Sequence, residues 1–96
     1  MRIPEIPLAL APETEEARSV IGFQYAGNEI GKRSKLGGEA DWIQGEEIPK
    51  CTCGKNMSFY GQLDSIGDSI CLADCGMIYI FVCPDCLETK SVLQCY

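Results

Sequence analysis

Two close cysteine pairs, in a chain without a single histidine, constrain the fold more than any other feature. Cys51 and Cys53 lie in Pro49-Lys50-Cys51-Thr52-Cys53-Gly54-Lys55, and Cys83 and Cys86 lie in Val82-Cys83-Pro84-Asp85-Cys86-Leu87. Four thiolates arranged as two local pairs can close around one tetrahedral ion. In a chain of 96 residues the attainable apolar core is modest, so a metal cross-link supplies order that burial alone does not.

The two pairs are unequal. Two residues between Cys83 and Cys86 let both sulfurs face one ion, and Pro84 stiffens the turn. The competing reading of Cys-x-x-Cys is a redox pair at a helix N-terminus in a βαβ setting. Here the motif follows an apolar strand and precedes a strand-like segment, which favours metal. Only Thr52 separates Cys51 from Cys53, so those side chains must splay further, and Gly54 supplies the positive φ that turns N–H groups toward sulfur. The predicted site is a structural Zn²⁺ held by Cys51, Cys53, Cys83 and Cys86, with Cys71 or Cys75 as the replacement if a first-pair ligand drops out. Otherwise Cys71, Cys75 and Cys95 read as small buried hydrophobes.

A four-cysteine site has no open position for water, and a cysteine nucleophile would find no histidine base. The chain is therefore expected not to be an enzyme. Asp64, Asp68 and Asp74 lack the spacing of an EF-hand and read as a solvated loop.

With 46% hydrophobic and 23% charged residues the composition is that of a globular domain, and the net charge of −6 is deepened by thiolates. That balance argues against a nucleic-acid-binding ribbon, because phosphate recognition rests on Lys and Arg. Lys32, Arg33 and Lys35 cluster, but three charges do not make a basic face. Pro4, Glu5 and Pro7 interrupt the apolar run a signal peptide needs, and no stretch is long enough to span a membrane. Together with the odd cysteine count, this predicts a reducing, cytoplasmic setting without membrane attachment.

The expected architecture is mostly β: a small zinc-ribbon-like antiparallel sheet with an N-terminal extended arm and an additional strand, in one domain over residues 1–96. Residues 1–18 form the arm, with a helical turn near Glu13 to Arg18 behind Pro12. Residues 19–49 hold a strand from Ser19 to Tyr25, marked by alternating Ile21, Phe23 and Tyr25, then a Gly-rich loop from Ala26 to Gly38 and the lone tryptophan, Trp42. Gly37-Gly38 predicts a tight turn that sets Trp42 on a sheet. Residues 50–96 form the ribbon-like core. It has a strand from Asn56 to Asp64 with Met57, Phe59 and Leu63 on one face, a loop from Asp64 to Ser69, a central strand from Met77 to Val82 covered on both faces, and a returning strand from Glu88 to Tyr96.

Leu36-Gly37-Gly38, Asp41-Trp42-Ile43-Gln44, a cysteine pair, Met57-Ser58-Phe59-Tyr60-Gly61-Gln62-Leu63-Asp64, and Gly76-Met77-Ile78-Tyr79-Ile80-Phe81-Val82-Cys83-Pro84-Asp85-Cys86 occur in that order. The pattern resembles the bacterial YwqG-like family of uncharacterised proteins, and more distantly the eukaryotic programmed cell death protein 2. Lys50 stands where the first cysteine of the family pattern is commoner, and Cys51 substitutes. The resemblance implies protein binding rather than catalysis, as an immunity factor or as a chaperone-like factor for an unidentified protein partner. Trp42, Phe59 and Tyr60 are candidate contact residues, with core packing the alternative for all three and the favoured reading for Trp42 and Phe59. The rival readings are a nucleic-acid-binding zinc ribbon and a thiol redox or metal-sensing protein.

Overall fold

The computed structural model describes residues 2–23 and 30–96. Five strands make one antiparallel sheet in the order β1-β2-β3-β4-β5. They are β1 (Ile6–Pro7), β2 (Lys35–Leu36), β3 (Ser58–Asp64), β4 (Met77–Val82) and β5 (Thr89–Gln94). The single helix among the described residues is α1 (Glu15–Val20). The mostly β fold, the extended arm and the three-strand ribbon of β3, β4 and β5 are as the sequence predicts.

The N-terminal part differs in detail. Thr14 caps α1 by accepting from the Ala17 N–H at 3.0 Å, and Glu15 and Glu16 favour its positive first turn. The helix thus runs on through Ser19 and Val20, where a strand was expected. Of the predicted Ser19 to Tyr25 strand, only an isolated bridge from Gly22 to Gly67 forms, and Gln24 and Tyr25 lie outside the described residues. The additional strand is instead β2, which the glycine-rich reading of Ala26 to Gly38 hid. The Gly37-Gly38 turn follows directly, with φ of +67° and +71°. A Cβ on Gly37 would stand 2.1 Å from the Pro4 carbonyl oxygen, so only glycine lets the arm lie this close.

Strand β3 carries a bulge at Tyr60, where the register against β4 shifts between Phe59 and Gly61. That shift corrects the predicted faces. Phe59, Gln62 and Asp64 oppose Phe81, Tyr79 and Met77 on the inner face, while Leu63 joins Ile78 on the outer one. The inner face is the core: Met77, Tyr79, Phe81, Met57, Cys51 and Cys83 are buried, with Trp42 and Phe59 packed against them. Trp42 lies over Tyr79 and Phe81, with ring centroids 4.7 and 5.9 Å away, and Phe59 meets Phe81 edge-on at 5.7 Å. The outer face of β4 is only half-buried, so the expectation of cover on both faces fails. α1 makes no contact with any strand, and no other helix is described that could lie there.

What closes the inner face is the irregular segment from Ala40 to Glu47. Such a segment needs partners for its backbone groups, and three buried side chains of the sheet provide them. Gln62 accepts from the Asp41 N–H at 3.0 Å and donates to the Arg33 carbonyl at 2.7 Å and to the Asp41 carboxylate at 2.9 Å. The Tyr79 hydroxyl donates to the Asp41 carbonyl at 2.7 Å and accepts from the Ile43 N–H at 3.2 Å. Gln94 accepts from the Ile43 and Gln44 N–H groups at 3.0 and 2.9 Å, and donates to the Gly45 carbonyl at 2.7 Å.

Asp64 is a second correction. It is buried, with its side chain 1% exposed, and it pairs with Arg33. Arg33 donates Nη2 to Oδ1 at 2.6 Å and Nε to Oδ2 at 2.8 Å, and the Gly31, Arg33 and Ser65 N–H groups add bonds of 2.7, 3.0 and 2.8 Å. Burial opposes the charge on Asp64, but the Arg33 guanidinium and these N–H groups outweigh it and hold the carboxyl below its ordinary range. Lys35 is buried likewise, between Glu5 at 2.7 Å and Asp41 at 3.2 Å, and ties the arm to the sheet.

Replacing Gln94 by Leu removes its bonds to the Gln44 N–H and the Gly45 carbonyl, whose own residues are exposed. At about 0.5–1.5 kcal/mol for each hydrogen bond lost, Q94L is expected to destabilise the fold by roughly 1–3 kcal/mol in chemical denaturation. Ser91→Ala on the outer face should fall within about 0.5 kcal/mol of the parent. A Q94L midpoint equal to that of S91A would show that the clasp is dispensable.

Candidate metal centre

The cysteine pairs meet at the end of the sheet where β4 stops and β5 begins. The first turn is closed by an antiparallel bridge from Lys50 to Asn56, by the Cys51 N–H donating to the Lys55 carbonyl at 2.9 Å, and by the Gly54 N–H donating to the Cys51 carbonyl at 2.9 Å. Gly54, with φ +90°, supplies the left-handed residue that its place in the motif predicts. The second turn is the hairpin between β4 and β5. There the Cys83 N–H donates to the Glu88 carbonyl at 2.8 Å and the Leu87 N–H donates to the Cys83 carbonyl at 3.0 Å. Leu87 occupies the matching left-handed position with φ +61°, although it is not glycine.

The sulfurs of Cys51, Cys53, Cys83 and Cys86 all lie within 4.8 Å of one another and can hold a metal ion. Sulfurs bound at about 2.3 Å to one tetrahedral ion stand about 3.8 Å apart. Cys53 and Cys83 are 3.7 Å apart, while Cys51 and Cys86 are closer, at 2.8 Å. Cys86 is exposed, so a small rotation of its side chain opens that edge. Cys51 and Cys83 are buried and Cys53 and Cys86 are exposed, so the cluster has a core side and a solvent side.

The backbone prepares one sulfur for the charged state. The N–H groups of Cys86 and Asp85 bring the Cys83 thiol down to about 7. Cys51 moves the other way. The Cys53 N–H favours its thiolate, but hydrogen bonding with Cys86, the nearby Glu88 carboxylate and burial outweigh that and push the thiol up. A divalent ion would reverse this balance by supplying positive charge to every sulfur. Around the cluster, Glu88 accepts from the Thr52 N–H at 3.0 Å, Lys55 pairs with Asp85, and Lys90 donates to the Lys50 carbonyl at 2.8 Å. Each contact joins the first turn to the second. Sequence reasoning missed Glu88 and Lys90, whose charges look like ordinary surface pattern until the turns are brought together.

The structure separates the remaining cysteines from this cluster. Cys71 and Cys75 precede β4, Cys83 follows it, and a six-residue strand spans about 20 Å. Gln94 pairs with Met77, so Cys95 also lies at the far end of the sheet. None of the three can replace a ligand of the cluster.

No family model matches the chain, and no solved structure matches it. Over 64 residues, 64% of the chain, it is 38% identical to the uncharacterized protein YpfL of Salmonella typhimurium. The matched stretch spans 15% of that protein's length.

Leu87 is 72% exposed and held in a backbone conformation that costs a side-chain-bearing residue about 1 kcal/mol or more. Leu87→Gly removes that cost and loses little packing, against a smaller penalty from the freer unfolded chain. The expected outcome is a gain of about 0.5–1 kcal/mol in the thermal stability of the protein. A loss of stability would mean that the Leu87 side chain holds the turn.

Proposed function

We propose that this protein is a zinc-binding protein-interaction module. The metal fixes the end of the sheet, and the outer face of the sheet receives the partner. The observation that supports the reading is the outer face itself. Cross-strand pairing places Ile6, Leu36, Leu63, Ile78, Ile80 and Leu93 there together. Leu36 lies over Gly61, while Leu63 and Leu93 remain 45% and 53% exposed. A continuous apolar surface of this kind on a small domain marks a contact site. The occupant is a protein with an apolar contact surface of its own.

The structure gives Trp42 and Phe59 the core packing that the sequence favours for them. Tyr60, at the bulge, is exposed and borders the outer face. The sequence resemblance to the YwqG-like family and to programmed cell death protein 2 rests on the residues quoted above, and it supports an immunity or chaperone-like role. Nucleic acid fits less well. Arg33 and Lys35 are both engaged by carboxylates inside the fold, and the net charge is −6. Four cysteines without histidine suit zinc or iron, and zinc is the commoner occupant of such a site. The site offers a closed ligand set and no position for substrate, so its role is structural.

Protein purified without chelator should carry one equivalent of zinc, and acidification should release it as the thiolates protonate. Less than half an equivalent of zinc or iron would sink the metal reading. Cys83→Ser should abolish binding and unfold the hairpin end.

Leu63→Lys and Leu93→Lys test the face. Both variants should keep their zinc and fold, yet lose a stoichiometric protein partner that the parent retains in native pull-down. A partner retained equally by both variants, or none recovered by the parent, would overturn the reading.

A further inference from the structure

At the end of the sheet opposite the metal cluster, a second pair of thiols has been brought together. The Sγ atoms of Cys71 and Cys75 are 3.4 Å apart, and both residues are half-buried and thus within reach of a small reagent. The Cys75 N–H also donates to the Cys71 sulfur at 2.9 Å.

The backbone that makes this pair is specialised. Ala73, Asp74 and Cys75 take φ of +42°, +59° and +60°, three consecutive left-handed residues, none of them glycine. Such a run persists only where its surroundings fix it. Buried Ser65 does so from both ends: its Oγ accepts from the Leu72 N–H at 3.0 Å and donates to the Gly76 carbonyl at 2.8 Å. Arg33 holds the middle, donating Nη2 to the Cys75 carbonyl at 3.1 Å. The left-handed curl brings residue 75 back over residue 71, so the sulfurs need only close to the disulfide length of about 2.05 Å.

We propose that Cys71 and Cys75 form a redox-active dithiol, distinct from the metal cysteines, that is oxidised to an intramolecular disulfide by a small-molecule disulfide. The Cys71 sulfur, as thiolate, attacks one sulfur of the reagent. The reagent's S–S bond breaks, and its other half leaves as a thiolate that takes up the proton Cys71 released. The Cys75 sulfur then attacks Cys71 in the mixed disulfide, the Cys71–Cys75 bond forms, and the second half leaves as a thiol with the Cys75 proton. Two electrons pass from the dithiol to the reagent, which ends as two thiols. Cys75 suits the second role. The Cys71 thiol, which donates to the Cys75 sulfur at 3.4 Å, and then burial push the Cys75 thiol up from its ordinary value.

The test treats zinc-loaded protein with oxidised glutathione and measures free thiols, zinc content and intact mass. The parent is expected to lose two thiols and two hydrogens in mass while its zinc stays bound. Cys75→Ser should instead accumulate one glutathionyl adduct, Cys71→Ser should form no internal disulfide, and Cys95→Ser should behave as the parent. The proposal is overturned if the parent keeps all its thiols, if C71S/C75S loses two thiols as the parent does, or if zinc leaves in step with thiol loss. Because zinc is read alongside thiols, failure of the dithiol and failure of the metal site give different results.

Discussion

The fold depends on an exchange in which side chains of a sheet take the place of a missing neighbouring strand. Gln62, Tyr79 and Gln94 stand on the inner face of three adjacent strands and are essentially inaccessible. Burying a primary amide without partners costs several kcal/mol. Here each amide has both its oxygen and its nitrogen bonded to the segment around Asp41 to Gly45 or to Arg33. The segment obtains partners for its backbone without adopting strand geometry, and so can stack Trp42 on Phe81 and set it, tilted, over Tyr79. Ala40 and Ile43 of the same segment pack against the core with it. Remove the clasp and Trp42 has no fixed approach, so the aromatic packing goes with it.

The bulge at Tyr60 decides what that core is made of. Strict alternation from Met57 would carry Phe59 and Leu63 to the same face and send Gln62 outward. One extra residue in β3 reverses the second half of the strand. Gln62 and Asp64 turn inward, where they can clasp the Trp42 loop and bind Arg33, and Leu63 turns outward into the apolar surface. The polar interior and the apolar exterior are thus two results of a single backbone irregularity.

How legible each part was in the sequence follows from the range of the forces involved. β4 and β5, the cysteine turns and the role of Gly54 are fixed by local chemistry, and the residues announce them. β2 escaped notice because Lys35-Leu36 is two residues long, set among glycines, and exists only because β3 and the arm lie on either side. The alternation of Ile21, Phe23 and Tyr25 points to a strand that begins at Ser19, whereas the Thr14 cap carries the helix through Ser19 and Val20. Asp64 looked like solvated loop because its partner is Arg33, more than thirty positions away and without any periodic relation to it. The four cysteines of the candidate site were readable as pairs. Glu88 and Lys90 were not, since their contacts exist only between the folded turns.

The sheet is therefore secured at both ends by different means, and the difference bears on what each end can do. At the β4–β5 turn, four sulfurs from two separate segments converge, so a bound ion would join residues more than thirty positions apart and restrict the unfolded chain strongly. At the opposite end Arg33 draws together Asp64, the Cys75 carbonyl and the Tyr96 hydroxyl, and Ser65 pins the turn of Cys71 to Cys75. A bond between those two cysteines would close a ring of only five residues, too short to add much to overall stability. Such a bond changes the local state of the turn and leaves the fold as it was. An ion held between two separate segments would make the four clustered cysteines structural, with nothing to gain from being exchangeable. The far pair is free to change oxidation state because the fold does not rest on it.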